Sequence, residues 1–158
     1  MHHTIHIYTD GSCHTQSKVG AWVAIILTGQ EKQVLSGTAS ATTNNAMELT
    51  AVIRAIEYVR ENHPHINVIQ VMADSQYVIG LTARREKLIA FDFASKAGKQ
   101  LPNATLVKQF LQLAQSGNIQ FIKVKAHQKA NELTNYNIEA DKLSRKLVRE
   151  TIKKAALQ

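Results

Sequence analysis

The chain has 158 residues, of which 44% are hydrophobic and 20% charged, and its formal net charge is +7. This composition is typical of a soluble globular protein, and its longest apolar run, 21–27, is too short to span a membrane. Its excess of basic over acidic residues favours a polyanionic partner, with nucleic acid as the first candidate. The only cysteine, Cys13, excludes an intrachain disulfide, and no signal peptide is visible, so we expect a cytoplasmic protein.

The first part of the chain predicts three β-strands followed by a long helix. Alternating and β-branched apolar residues place the strands at 4–9, 19–28 and 32–38. The second and third strands are separated by only three residues, so they should be antiparallel neighbours. Apolar residues at helical spacing from Leu49 to Val59 then predict a helix that Asn44 or Asn45 caps.

The rest of the chain alternates helices and strands. A dense apolar stretch at 66–73 predicts a strand buried on both faces, and 119–124 predicts another strand. Helices are predicted at 75–81, between Pro102 and Gly117, and at 137–154. The segment 82–100 is less regular and carries five basic residues, and 126–136 is predicted to be a polar loop.

The predicted order of elements is therefore βββ-α-β-α-α-β-α. Three successive strands form an antiparallel unit, and the later strands, which follow helices, should lie parallel to the first. We predict an α/β fold in which a mixed five-stranded sheet carries helices on both faces. The whole chain, 1–158, is expected to form a single domain.

Four acids are predicted to meet at one edge of this sheet. Asp10 closes the first strand and Asp74 the fourth, and the carboxyl ends of parallel strands form the edge where open α/β sheets bind ligands. Glu48, in the first long helix, and Asp141, in the last, can reach the same edge. Four close carboxylates would repel one another unless cations lay between them. Oxygen ligands favour Mg²⁺ or Mn²⁺, and two such ions about 3.5–4 Å apart promote attack on a phosphodiester.

Each of these acids also suits a purely structural role, as an alternative to binding a metal ion. Asp10 precedes a glycine and suits a turn, and Asp74 precedes a serine and suits a helix N-cap. Glu48 suits a partner of the helix dipole, and Asp141 suits an ion pair with a basic neighbour on its own helix.

Five stretches, in order and at matching spacing, resemble the motifs of type 1 ribonuclease H. They are Thr9-Asp10-Gly11-Ser12, Thr43 to Leu49, Asp74 to Val78, Val124-Lys125-Ala126-His127 and Asn137 to Asp141. The resemblance covers nearly the whole chain, and the predicted element order is also that of the family.

The resemblance implies an endonuclease that hydrolyses the RNA strand of RNA–DNA hybrids and leaves 5′-phosphate and 3′-hydroxyl ends. It implies that Asp10 bridges two Mg²⁺ ions, for which Mn²⁺ is a possible substitute. Glu48 and Asp74 would complete one metal site, and Asp141 would complete the other. His127 would match a catalytic histidine of a mobile loop, which helps proton transfer or product departure.

The resemblance also assigns contacts with the hybrid, at positions that equally suit turns and helix caps. Minor-groove contacts are implied for Gly11, Ser12, Cys13, Asn44 and Asn45, and contacts with a DNA-strand phosphate for Thr43 and Asn103.

Three segments depart from the family pattern. A Gly-Asn-Pro-Gly type turn commonly follows the cysteine, but here the residues are His14-Thr15-Gln16-Ser17-Lys18. The basic segment 82–100 lacks the tryptophans of the family's protrusion, and Phe91 and Phe93 are either a stacking surface or anchors of the segment. The loop from His127 to Asp141 is longer than in many bacterial members.

The last helix adds a basic surface, which suits either solvent exposure or phosphate contact. Its residues are Lys142, Arg145, Lys146, Arg149, Lys153 and Lys154.

An active ribonuclease is the first of three hypotheses for the function. A hybrid-binding module without turnover would be free to lose its acids, yet all four are present. The same fold within a retroelement or integrase would be accompanied by further segments, which this sequence does not show. We therefore expect a free-standing monomeric enzyme that binds RNA–DNA hybrids and does not associate with membranes.

Overall fold

The computed structural model describes residues 4–29, 31–124 and 135–157. Its strands are β1 (Thr4–Cys13), β2 (Gly20–Thr28), β3 (Glu31–Ala39), β4 (Val68–Ala73) and β5 (Ile119–Lys123). Its helices are α1 (Asn44–Asn62), α2 (Gln76–Ala83), α3 (Arg85–Ala90), α4 (Ala104–Ala114) and α5 (Asn135–Ala156). Within these ranges no helix is both long enough and apolar enough to cross a membrane.

The strands form one mixed sheet in the order β3-β2-β1-β4-β5. β2 is antiparallel to both β1 and β3, whereas β4 is parallel to β1 and to β5. The predicted sheet is therefore confirmed. Thr9 of β1 is paired with Ala73 of β4, so the acids that follow these two residues lie at the same edge.

Helices cover both faces of the sheet, as predicted. Alternation along β1 sends Ile5 and Ile7 into a core with α1, α2 and α4, whereas Tyr8 packs into a second core beneath α5. The first core is the larger, and Phe110 of α4 is completely buried within it. α1 and α5 therefore approach β1 from opposite sides, which brings residues of both helices to the end of that strand.

Several element boundaries differ from the predictions. Thr43 caps α1, because its Oγ1 accepts a hydrogen bond from the N–H of Ala46 at 3.1 Å, so Asn44 and Asn45 are the first residues of the helix. β4 begins at Val68, two residues later than predicted, and two of its residues, Val68 and Gln70, are only partly buried. The predicted loop 126–136 falls mostly outside the described residues, and its last two residues already belong to α5.

The basic segment 82–100 contains a helix that was not predicted, α3. Phe93 follows it, packs against the larger core and has the Nζ of Lys108 5.2 Å from its ring centroid. Phe91 is 47% exposed. Phe93 is therefore an anchor of the segment, whereas Phe91 is available for contact with a partner.

Candidate metal-binding active site

Three acids come together at the end of β1 and β4. Oxygen atoms of Asp10, Glu48 and Asp74 all lie within 4.8 Å of one another. Asp10 belongs to β1, Asp74 directly follows β4, and Glu48 reaches them from the second turn of α1. Asp10 and Glu48 are 4% and 8% exposed, so two of the three carboxylates are almost completely removed from water.

A glycine sets the distance between α1 and these strands. A Cβ atom on Gly11 would lie 2.5 Å from the backbone N of Glu48 and 2.6 Å from the carbonyl carbon of Met47. Such contacts are shorter than real side chains allow, so α1 can rest on β1 only where the chain has no side chain. Gly11 therefore has a structural role in bringing Glu48 to Asp10, whatever its contact with substrate.

The structure also decides among the plain alternatives for the acids. Asp10 is not in a turn, because β1 continues to Cys13 and Asp10 is paired with Val23. The N-cap of α2 is Ser75, whose Oγ accepts from the N–H of Val78 at 3.2 Å, and not Asp74. Asp141 does form the expected ion pair, since its Oδ1 accepts from the Nε of Arg145 at 3.1 Å.

Burial and mutual repulsion disfavour the charged forms of the two buried acids. Burial, followed by the charge of Asp74, raises the pKa of Asp10 to about 7. Burial, followed by the charge of Asp10, raises the pKa of Glu48 to about 10. The Oε2 atom of Glu48 is buried and has no hydrogen-bond partner among the described residues. An oxygen-only site with an unused buried ligand atom and excess negative charge fits a hard divalent cation.

Asp141 approaches the group from α5. Its charge and a hydrogen bond contribute to the raised pKa of Asp10, and it lines the same cavity as Glu48. In the part of the chain that the structure describes, it lies outside the compact three-acid group. The fourth acid is therefore a neighbour of Asp10 that is held by an arginine of its own helix.

Ser144 is a component of the site that sequence reasoning missed. It is completely buried, and its Oγ lies 3.2 Å from Oδ2 of Asp10 and 3.0 Å from the backbone carbonyl oxygen of Asp141. A hydroxyl has one proton to donate, so these two acceptors share it. A serine inside a helix carries no sequence signal for such a contact, which depends on how α5 lies on β1.

A cavity of about 560 Å³ opens beside the acids. It is lined by five of the seven residues predicted to contact substrate, namely Gly11, Ser12, Cys13, Asn44 and Asn45. His14 and Ser75, which were not predicted as substrate contacts, also line it, together with Arg145 and Arg149 of the basic surface of α5. The thiol of Cys13 donates to the backbone carbonyl of Thr42 at 3.3 Å.

Two of the remaining predicted site residues, Thr43 and Asn103, do not line this cavity. Thr43 is occupied as the cap of α1 and does not line this cavity. Asn103 precedes α4 in a left-handed conformation (φ 61°), and its side chain makes no capping hydrogen bond. His127 lies outside the described residues.

The family model and the relative that match this chain carry the same name. The family model described as RNase H matches residues 2–149. The protein named Ribonuclease H from Chlorobium luteolum is 34% identical over 154 residues, which are 95% of this chain and 99% of that protein.

Two solved structures share the fold. LC9-RNase H1, described as a type 1 RNase H, superposes with a TM-score of 0.79 at 18% identity, over 95% of this chain and 74% of that chain. The foamy viral protease-reverse transcriptase, in complex with an RNA/DNA hybrid, superposes with a TM-score of 0.71 at 16% identity, over 91% of this chain and 20% of that chain.

Proposed function

The chain belongs to the ribonuclease H family, and from this membership we propose that it hydrolyses the RNA strand of RNA–DNA hybrids. The proposed products carry 5′-phosphate and 3′-hydroxyl ends. The observation that carries the proposal is the group formed by Asp10, Glu48 and Asp74, of which Asp10 and Glu48 are buried and Glu48 lines a cavity that also holds two arginines. The hybrid-bound viral structure with the same fold supports the choice of substrate.

The acids are proposed to hold two Mg²⁺ ions, with Mn²⁺ as a possible substitute. Asp10 would be the ligand shared by both, Glu48 and Asp74 would complete one site, and Asp141 would complete the other. When bound, such ions supply an activated water and stabilise the oxygen that leaves the phosphate. Asp141 is half-buried and Arg145 is exposed, so this ion pair can rearrange at low cost to free a carboxylate oxygen.

The protein's own groups are proposed to position the substrate. Asn44 and Asn45 are exposed at the start of α1, beside the acids, where their amides can contact the sugars and base edges of a minor groove. Asn44 and Asn45 are also the first residues of α1, and the N-terminus of a helix favours a phosphate nearby. Recognition by shape and 2′-hydroxyl groups needs few base contacts, which suits a nuclease of broad sequence range.

Further parts of the proposal rest on the resemblance to the family. Gly11, Ser12 and Cys13 are proposed as minor-groove contacts, Thr43 and Asn103 as contacts with a DNA-strand phosphate, and His127 as a group that assists proton transfer or product departure. The chain is proposed to act as a single-domain monomer in the cytoplasm.

Cleavage of a labelled hybrid tests the proposal directly. The RNA strand should be cut internally with Mg²⁺ or Mn²⁺ present and should stay intact in EDTA, whereas duplex DNA should not be cut. Asp10→Asn should bind the hybrid and keep the parent's circular dichroism spectrum, while its turnover falls by on the order of 10³-fold or more. Hybrid binding by the parent protein without metal-dependent cleavage would show a binding module instead.

A further inference from the structure

The turn that departs from the family pattern is organised around His14. The backbone N–H of Ser17 donates to Nδ1 of His14 at 3.1 Å, and the Oγ of Ser17 lies 2.9 Å from the same nitrogen. A nitrogen that accepts from an N–H carries no proton, so the proton of the neutral ring is on Nε2. The turn therefore fixes a tautomer in which the Nε2–H of an exposed ring has no acceptor among the described residues.

His14 stands between two cavities. One is the cavity that holds Glu48 and Asp141, and the other, of about 600 Å³, lies along the second half of α5. Arg149 is the only other residue that lines both cavities among the described residues. His14 and Arg149 therefore lie at the border between the acid-lined cavity and the cavity along α5.

The basic residues of α5 form a stripe that begins at an acid of the site. Residues at intervals of four lie along one side of a helix, and here these are Asp141, Arg145, Arg149 and Lys153. Arg145 is paired with Asp141. Within the described ranges, Arg149 and Lys153 form no salt bridge, which leaves two exposed cations beyond the acids.

We propose that His14 and Arg149, with Lys153 beyond them, bind backbone phosphates of the cleaved RNA strand on the α5 side of the scissile phosphate. This inference rests on the proposed function, because a strand whose phosphate lies at Asp10 and Asp141 continues along the cavity wall that these residues form. The Nε2–H of His14 and the guanidinium of Arg149 are donors that match phosphate oxygens.

The role of Arg149 as a phosphate ligand can be tested in the inactive Asp10→Asn protein. The measurement is the equilibrium binding of a hybrid over a series of salt concentrations. Arg149→Gln should weaken binding roughly 3- to 10-fold at low salt and reduce the slope of log K against log salt by about one. Lys154→Gln is the matched control, because it removes the same charge from the same helix at a residue that lines neither cavity. It should change affinity less than about twofold.

Two substitutions separate the role of His14 in the turn from its role as a donor. In His14→Asn the amide oxygen can replace Nδ1 as the acceptor for Ser17, but no donor reaches the position of Nε2. In His14→Gln the longer side chain brings an N–H near that position and loses the acceptor of the turn. Binding should therefore be weaker in the Asn variant and closer to the parent in the Gln variant. The opposite order would show that only the turn matters and would overturn the role of His14.

Hybrids with one shortened strand identify the strand that is bound. The effect of Arg149→Gln should disappear when the RNA strand ends at the scissile site and should persist when only the DNA strand is shortened. Equal losses in Arg149→Gln and Lys154→Gln would indicate diffuse attraction and overturn the local site, while cleavage by the parent protein would still support the proposed function. Failure of the parent to cleave any hybrid would refute the proposed function and, with it, this inference.

Discussion

The hydroxyl of Ser144 lies 3.2 Å from Oδ2 of Asp10, although the two residues are 134 positions apart in the chain. The contact joins α5 to β1 inside the protein, since both residues are buried. Ser144 is a neutral donor, so it can orient the carboxylate without adding a positive charge that would compete with a cation. The packing of α5 therefore both closes the smaller core and fixes the acid at the centre of the site.

Ser144→Ala should weaken the binding of Mg²⁺ or Mn²⁺ roughly tenfold, because Asp10 loses the donor that orients it. Turnover should fall at low metal concentration and recover when metal is in excess, with little change in KM for the hybrid. Calorimetric titration with Mn²⁺ measures the affinity independently of activity. Thr151→Ala is the control, since among the described residues the Thr151 hydroxyl bonds only to the backbone carbonyl of Leu147 on the same helix. Equal metal affinity in parent and Ser144→Ala would refute the orienting role.

The raised pKa values predict how the stability of the metal-free protein depends on pH. A carboxyl whose pKa is higher in the folded state binds protons more tightly there, so its contribution is favourable below its unfolded pKa, about 4. That contribution is lost as the pH rises towards 7 for Asp10, and towards still higher pH for Glu48. In EDTA, the protein should therefore become less stable between about pH 4 and pH 8, and added Mg²⁺ should restore stability most strongly at the upper end.

Glu48→Gln isolates this effect, because it replaces a carboxyl that must bind a proton on folding with a neutral amide of similar shape. In EDTA at pH 8 the variant should be more stable than the parent by about 1–3 kcal/mol, and the difference should vanish near pH 4. Its nuclease activity should be lost. Thermal unfolding across this pH range measures the difference, and a constant offset between the two proteins would contradict a titrating Glu48.

His127→Ala should slow turnover roughly 10²-fold without abolishing it, because a proton-transfer group assists a reaction that the acids still support. Single-turnover rates measured with the hybrid in excess Mg²⁺ provide the comparison. His65→Ala, at an exposed residue after α1, should leave the rate unchanged. A loss as complete as that of Asp10→Asn would assign His127 a different role.

The sequence was sufficient to predict those features of the site that follow from the order of the strands in the sheet. Strand order alone placed Asp10 and Asp74 at one edge, because parallel pairing of β1 with β4 aligns their carboxyl ends. It was not sufficient where several residues compete for one role. Thr43, Asn44 and Asn45 are all good caps, and only the backbone conformation of Thr43 decides among them. α3 was missed because Leu88 is its only fully buried side chain, which leaves no apolar period to detect.

The close approach of α1 to β1 could not be predicted either, because a glycine after an acid suits a turn as well as a helix contact. Gly11→Ala tests the contact. The added Cβ would meet the backbone of Met47 and Glu48, which cannot move aside as a flexible side chain would. We expect a loss of about 1–3 kcal/mol in the free energy of unfolding, together with weaker metal binding, since Glu48 is pushed away from Asp10.

Gly80→Ala is the matched control for this substitution. Gly80 lies within α2, and apart from its chain neighbours and the nearby backbone of that helix, no described atom lies within 4 Å of a Cβ placed there. Alanine is the better helix former, so this variant should be as stable as the parent or more stable by up to about 1 kcal/mol. Chemical unfolding of the three proteins, with calorimetric titration of Mn²⁺ into each, measures both effects. If Gly11→Ala were as stable as Gly80→Ala and bound Mn²⁺ like the parent, Gly11 would not set the distance between Glu48 and Asp10.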